Sequence, residues 1–149
     1  MNGAAARDPR DEGLGRLVAF YESLTVQSVP QIARLYAPQA FFRDPFNEVN
    51  GVAAIERIFR HLFQQVETPR FTVTNRLREG NQAMLGWVFR FGSGARTIEI
   101  PGVSHLILDA QGRVTSHVDY WDAASGLYAR LPLVGPLMRW LRRRLSARN

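Results

Sequence analysis

The chain of 149 residues contains no cysteine and no lysine, and no apolar run in it is long. The absence of cysteine excludes disulfides and thiol catalysis, and it fits a cytoplasmic protein. No apolar stretch approaches the roughly 18–20 residues that a membrane-spanning helix requires. The sequence also lacks a Gly-x-Gly-x-x-Gly motif, a phosphate loop and a Gly-x-Ser-x-Gly elbow. Nucleotide cofactors and serine-hydrolase chemistry therefore have no support, and we expect no cofactor.

Acidic residues are missing from one part of the chain. All 13 of them lie in residues 1–127, where thirteen arginines balance them. Residues 128–149 contain six arginines and no acid, so the net charge of +6 belongs to this segment alone. A basic surface spread over the fold is therefore not indicated, and we expect no nucleic-acid partner. The three histidines are scattered without metal-ligand spacing, so no metal site is expected.

The apolar residues that are present suffice for one folded domain, at 46% of the sequence with sixteen aromatic side chains. Residues 1–13 lack an apolar stretch and are predicted to be a disordered lead rather than a secretory signal. Residues 14–127 are predicted to form the domain. Residues 128–149 are predicted to be an Arg-rich extension.

The hydrophobic period changes once along the domain, from about 3.6 to 2. Before the change, the period of about 3.6 predicts helices over 14–27, 30–36 and 52–66. A short strand over 40–44 and a turn at Asn50-Gly51 are predicted between them. After Thr68-Pro69 the alternating part predicts four consecutive strands. These strands begin near Phe71, Gln82, Arg96 and Arg113. The order predicts an α+β fold, with helices on one face of a curved antiparallel sheet.

Two short stretches are the most informative parts of the sequence. Phe42-Arg43-Asp44-Pro45-Phe46 and His117-Val118-Asp119-Tyr120-Trp121-Asp122 each place a carboxylate among large apolar residues. Burial of a carboxylate is costly, so such a group is normally hydrogen-bonded, ion-paired or raised in pKa. Carboxylates of this kind at a pocket wall serve general acid–base catalysis, and Asp44 and Asp119 are the candidate catalytic residues.

On a strand, residues two apart share a face, so His117, Asp119 and Trp121 are predicted to point the same way. A base, its orienting partner and an apolar wall then lie together. In the alternative interpretation Asp119 belongs to a buried structural network, or pairs with an arginine such as Arg43 or Arg90. The stripe Trp87, Phe89 and Phe91 is either core or ligand wall.

With these motifs the chain resembles the SnoaL-like branch of the nuclear transport factor 2-like superfamily, which includes ketosteroid isomerase. The resemblance covers about 15–122 and rests on Arg43-Asp44-Pro45, on Gly51-Val52-Ala53-Ala54-Ile55 and on Asp119-Tyr120-Trp121-Asp122. It implies a cone-shaped fold, in which three helices close a curved sheet around a deep apolar pocket, and it implies a homodimer. Because relatives include isomerases, cyclases, hydrolases and binding proteins, the fold does not decide the reaction.

The resemblance also assigns roles to single residues. Asp44 matches the general base of ketosteroid isomerase. A gapless match of the first helices places Phe20 at its oxyanion-hole tyrosine, with Tyr21 facing elsewhere, and Ser104 at its protonated aspartate. Steroid isomerisation by that route is therefore not expected.

Asp119 instead matches an essential aspartate of limonene epoxide hydrolase. The partner Arg-x-Asp pair of that enzyme would fall near Trp87–Arg90, where this sequence has no acid. The complete constellation of the hydrolase is therefore not expected either.

The resulting expectation is an isomerase, cyclase or hydrolase that uses acid–base catalysis on a small apolar ring or lipid-like substrate. Its expected ligand-binding residues are Phe20, Phe59, Trp87, Ser104, His117 and Trp121. The alternative is a non-catalytic protein that binds a small hydrophobic ligand.

The C-terminal extension has a pattern of its own. Leu137, Met138, Leu141 and Leu145 form one stripe if residues 137–145 are helical, with arginines around it. This predicts an amphipathic helix that packs on the body or on a dimer partner, or that makes peripheral membrane contact through 137–149.

Overall fold

The computed structural model describes residues 7–122 together with residues 140, 143 and 144. Three α-helices precede most of the sheet: α1 (Pro9–Glu22), α2 (Ile32–Leu35) and α3 (Val52–Gln65). A 3₁₀ turn at Val29–Gln31 leads into α2. Helix α3 follows the predicted helix closely because its apolar residues recur at helical spacing. Three of them, Ile55, Ile58 and Phe59, are buried.

Six strands form one curved, unclosed sheet. They are β1 (Tyr36–Arg43), β2 (Glu48–Asn50), β3 (Arg70–Glu79), β4 (Gln82–Phe91), β5 (Ile98–Leu108) and β6 (Val114–Trp121). The spatial order is β2-β1-β6-β5-β4-β3. All neighbours are antiparallel except β1 and β6, which are parallel. The sheet is thus mixed rather than purely antiparallel, because the long connection between β1 and β6 permits a parallel pair. This is the α+β cone architecture.

The start of α1 corrects one prediction. Residues 9–13 were predicted to belong to a disordered lead, but α1 begins at Pro9. The Asp8 carboxylate accepts a hydrogen bond from the Arg10 backbone N–H at 2.9 Å, which caps the helix. The Arg78 guanidinium of β3 donates from Nε and Nη2 to Asp11 at 2.6 and 2.8 Å and also pairs with Asp8. These long-range contacts fix the first turn, and local composition does not reveal them.

Strand β2 was also missed, because Asn50-Gly51 was predicted to be a turn. Its three residues are too few to show the alternating hydrophobic period of a strand. They pair antiparallel with β1. Gly51 then starts α3 with a φ of 91°, a value that glycine adopts without strain. The predicted helix over 30–36 is shorter than expected, because Tyr36 is already the first residue of β1.

The core lies between the helices and the inner face of the sheet. Strand β4 shows the clearest alternation, with Leu85, Trp87, Phe89 and Phe91 buried on its inner face. Helix α1 contributes a stripe with the spacing of an amphipathic helix. Its buried apolar residues are Leu14, Leu17, Phe20 and Tyr21. Both the sheet and α1 therefore contribute aromatic side chains to the core.

The predicted amphipathic helix of the C-terminal extension lies outside the described residues, apart from positions 140, 143 and 144. There the Arg144 guanidinium lies 4.5 Å from the centre of the Trp140 ring, a cation–π contact. Within the part of the chain that the structure describes, no helix is long and apolar enough to cross a membrane.

Candidate functional site

An apolar cavity of about 110 Å³ opens between the inner face of the sheet and helices α1 and α3. Its wall is mostly aromatic and aliphatic, and its polar side chains are few. The apolar part of the wall comprises Phe42, Phe46, Ile58, Phe59, Leu62, Val66, Phe71, Val73, Leu85, Trp87, Phe89, Phe91, Ile100 and Trp121. The polar side chains of the wall are Tyr21, Asp44, Ser104, His117 and Asp119. A few convergent polar groups in an apolar cavity are typical of small-molecule sites.

The parallel pair of β1 and β6 brings the two aspartates to one end of this cavity. Phe42 lies opposite His117 and Arg43 lies opposite Val118. Asp44 follows Arg43 and Asp119 follows Val118 in the sequence, and both aspartates line the cavity. His117 and Trp121 also line it, as the period of two requires for residues that share a face with Asp119. An open surface groove also has both aspartates in its lining.

Asp119 is held through one of its two oxygens. Its Oδ1 accepts hydrogen bonds from Ser104 Oγ at 2.5 Å and from His117 Nε2 at 2.7 Å. Ser104 Oγ in turn accepts from Trp87 Nε1 at 2.9 Å. Among residues 7–122 no hydrogen bond reaches Asp119 Oδ2. One oxygen is therefore fixed by the wall, whereas the other has no hydrogen-bond donor within this part of the chain.

Pairing of Asp119 with an arginine was one of the predicted alternatives, and the part of the chain that the structure describes contains no such pair. Arg90 instead binds Glu99, with Nε donating to Oε1 at 2.6 Å. Arg43 is exposed and forms no ion pair with either aspartate in the described part of the chain. The surroundings of Asp119 match the other predicted alternative, a buried network.

That network runs from Asp119 through His117 into the core. His117 is only 1% exposed. Its Nδ1 lies 2.7 Å from the Tyr36 hydroxyl and 3.3 Å from the Tyr21 hydroxyl, and the two hydroxyls are 2.5 Å apart. With Nε2–H donating to Asp119, Nδ1 accepts a hydrogen bond from the Tyr36 hydroxyl, and the Tyr36 oxygen accepts one from the Tyr21 hydroxyl. Burial raises the pKa of both tyrosines, so their hydroxyls stay protonated.

Tyr21 and Phe20 correct the residue assignment made from the resemblance. Phe20 is buried beside Tyr21 and Phe59, with ring centroids 5.5 and 6.4 Å away, and is not among the residues lining the cavity. Tyr21, expected to face elsewhere, lines the cavity and contacts His117. The signal was present in the sequence, because Tyr21 continues the apolar stripe of Leu14 and Leu17 at helical spacing. Tyr36 was missed as well, since nothing local distinguishes it from a core tyrosine.

Asp44 is held by its own loop. Its Oδ1 accepts from the backbone N–H groups of Phe46 at 2.7 Å and Asn47 at 2.6 Å, and Asn47 Nδ2 donates to both carboxylate oxygens at 3.1 Å. Burial raises the pKa of Asp44 despite these donors, and the nearby charge of Asp119 adds to the effect. Asp44 therefore accepts a proton more readily than an ordinary aspartate.

The remaining predicted site residues all line the cavity. Phe59 contributes from α3, Trp87 from β4, Ser104 from β5 and Trp121 from β6. Ser104 does not point freely at a ligand, since it bonds both Trp87 and Asp119. Among the described residues, no three histidine, aspartate or glutamate side chains form a group able to hold a metal ion.

Comparison with known sequences decides the family. The profile of the SnoaL-like domain matches residues 17–117, which is more than half of the chain. The chain belongs to the SnoaL-like family. A search of curated proteins finds no sequence match.

Solved structures agree with membership of the SnoaL-like family at the level of the fold. A steroid delta-isomerase from Pseudomonas aeruginosa is 22% identical, with a TM-score of 0.64 and coverage of 93% of both chains. An LEH-like epoxide hydrolase from M. tuberculosis is 12% identical, with a TM-score of 0.64 over 80% of this chain and 87% of that one.

A hypothetical protein with a ketosteroid isomerase-like fold from Catenulispora acidiphila, solved with trimethylamine, is 16% identical. Its TM-score is 0.66 over 78% of this chain and 90% of that one. At these identities the likeness establishes the shared cone fold. Members with this fold have different activities, so the site itself must indicate the chemistry.

Proposed function

We propose that this protein catalyses proton transfers on a small, largely apolar ring substrate, with Asp44 and Asp119 as an acid–base pair. The observation that carries the proposal is the placement of two carboxylates at one end of one apolar cavity, with no arginine paired to either among residues 7–122. Two carboxylates in different environments are a recurrent basis for acid–base catalysis.

The two aspartates suit different parts of such a reaction. Asp44, whose pKa is raised by burial, accepts a proton from the substrate. Asp119 is fixed through Oδ1 by His117 and Ser104, so Oδ2 presents a positioned charge to the substrate or to a water molecule. This arrangement serves an isomerase, a cyclase or a hydrolase, according to which atom of the substrate exchanges its proton.

The test follows deuterium exchange next to the carbonyl of small cyclic ketones in D₂O, together with hydrolysis of small cyclic epoxides. We expect Asp44→Asn and Asp119→Asn to fold and to lose activity by about 10²-fold or more, the usual contribution of a general acid or base. Glu99→Gln is the control, because Glu99 is an exposed carboxylate on β5 that pairs with Arg90. Wild-type rates in the two aspartate variants would contradict the proposal.

A second candidate function is binding of a small apolar ligand without turnover. It is favoured by the hydrogen bonds of Asp44 to Phe46 and Asn47, which by themselves explain an aspartate in this loop as a turn residue. In this case the wild-type protein binds the ketones but exchanges none of their protons, and Asp119→Asn retains the binding.

A further inference from the structure

The charge of the cavity wall indicates what kind of ligand it accepts. Among the described residues that line it, two are aspartates and none is arginine. The remaining group that can carry a positive charge among these residues is His117, which already bonds Asp119 and Tyr36. Two ionised carboxylates exceed that single charge, so the described part of the wall has a net negative charge.

The aromatic rings at the carboxylate end add to this preference. Phe46 and Trp121 both line the cavity, with ring centroids 5.6 Å apart. Phe42 lies next to His117, at a centroid distance of 4.9 Å. Ring faces beside carboxylates are the two features by which proteins recognise ammonium groups.

We propose that the natural ligand of this cavity carries a cationic amine, which lies between Asp44 and Asp119, on an apolar body that fills the aromatic part of the cavity. The inference rests on the proposed function only for the location of the site. It assigns the charge of the ligand, which the acid–base proposal leaves open.

The structure also provides an oxygen atom for the amine. Asp119 Oδ2 has no hydrogen-bond donor among the described residues, while Oδ1 has two. An ammonium N–H donates to this oxygen in a charge-assisted hydrogen bond. A neutral alcohol donates there more weakly, and a carboxylate ligand is repelled.

The size of the cavity limits the body of the ligand. An apolar protein cavity of about 150 Å³ binds benzene, and the volume here, about 110 Å³, is of the same order. A ligand of matching size is a single six-membered ring with a short amine arm.

Three single-ring probes of similar size test the inference: benzylamine, benzyl alcohol and benzoate, which are cationic, neutral and anionic at pH 7. Titration calorimetry and ligand-observed NMR on the full chain give their dissociation constants. We expect benzylamine to bind about tenfold or more tighter than benzyl alcohol, and benzoate to bind most weakly. Equal or tighter binding of benzyl alcohol would overturn the inference.

Variants locate the effect within the cavity. Asp44→Asn and Asp119→Asn should each reduce the preference for benzylamine, and the double variant should abolish it, while Glu99→Gln leaves it unchanged. A preference that persists in the folded double variant would place the amine elsewhere and overturn the inference.

This measurement is separate from turnover. No preference for the amine, together with loss of proton exchange in Asp119→Asn, would reject the inference and keep the proposed function. A clear amine preference with wild-type exchange in Asp119→Asn would do the reverse.

Discussion

Asp44 and Asp119 lie at the same end of one cavity, yet they are held in different ways. Every hydrogen bond described for the Asp44 carboxylate comes from Phe46 and Asn47, two and three residues further along its own loop. Asp119 is held by Ser104 on another strand and by His117, whose second nitrogen reaches Tyr36 on β1. One carboxylate is positioned locally and the other by the packing of several elements.

The difference indicates how each position responds to change. A local turn keeps its geometry when distant residues are altered, because its partners are adjacent in sequence. A buried network is cooperative, and loss of one member leaves others without partners in a medium of low dielectric constant. We therefore expect substitutions around Asp119 to affect stability more than substitutions around Asp44.

The largest effect is expected for His117→Ala. This change removes a donor to Asp119 and an acceptor for Tyr36, and it leaves a space in the core. We expect the free energy of unfolding to fall by about 3 kcal/mol, measured by urea denaturation. The control is His105→Ala on β5, where the ring bonds Gln82 outside the network and the loss should be about 0.5 kcal/mol. Equal losses in the two variants would contradict a special role for the buried network.

The same local and long-range contrast explains which features were predictable from the sequence. The helix over 52–66 and the shared face of His117 and Asp119 follow from hydrophobic period alone, and the structure contains both. The contacts of Tyr21 and Tyr36 with His117 join residues 96 and 81 positions apart in sequence. No local pattern encodes such a contact, and the gapless match to a relative selected Phe20 instead.

A smaller effect is expected for removal of one hydroxyl from the network. Tyr36→Phe leaves His117 Nδ1 with only the longer contact to Tyr21, at 3.3 Å instead of 2.7 Å. We expect a loss of about 1–2 kcal/mol in the free energy of unfolding, and a smaller loss of about 1 kcal/mol for Tyr21→Phe.

A double-mutant cycle of these two positions separates a network from independent contacts. Because the hydroxyls bond each other, the loss in the double variant should differ from the sum of the single losses by about 0.5 kcal/mol or more. Strict additivity would show that the two tyrosines act independently.

The smallest effect is expected in the pH dependence of stability at Asp44. Burial raises the pKa of this carboxyl above its ordinary value of 3.8, so the folded protein retains the proton to higher pH than the unfolded chain does. The resulting stabilisation is complete below pH 3.8 and is lost as the pH rises through the pKa of Asp44 in the folded protein. In Asp44→Asn this decline is absent, since the amide does not titrate there. The difference in free energy of unfolding between wild type and variant should therefore change only within that window.

Asp109 should change the stability with the opposite dependence on pH in the same experiment, because its pKa is lowered rather than raised. Its burial alone would raise the pKa, but hydrogen bonds from Arg113 and Gln111 outweigh it and lower the pKa below 3.8. Its stabilisation is present above pH 3.8 and is lost as the pH falls through the lowered pKa, so Asp109→Asn should remove a decline at acid pH. Unfolding curves at closely spaced pH values compare both variants with wild type. A decline of the same sign at both positions would show that Asp44 is held as an ordinary turn aspartate, without the burial that suits it to accept a proton from a ligand.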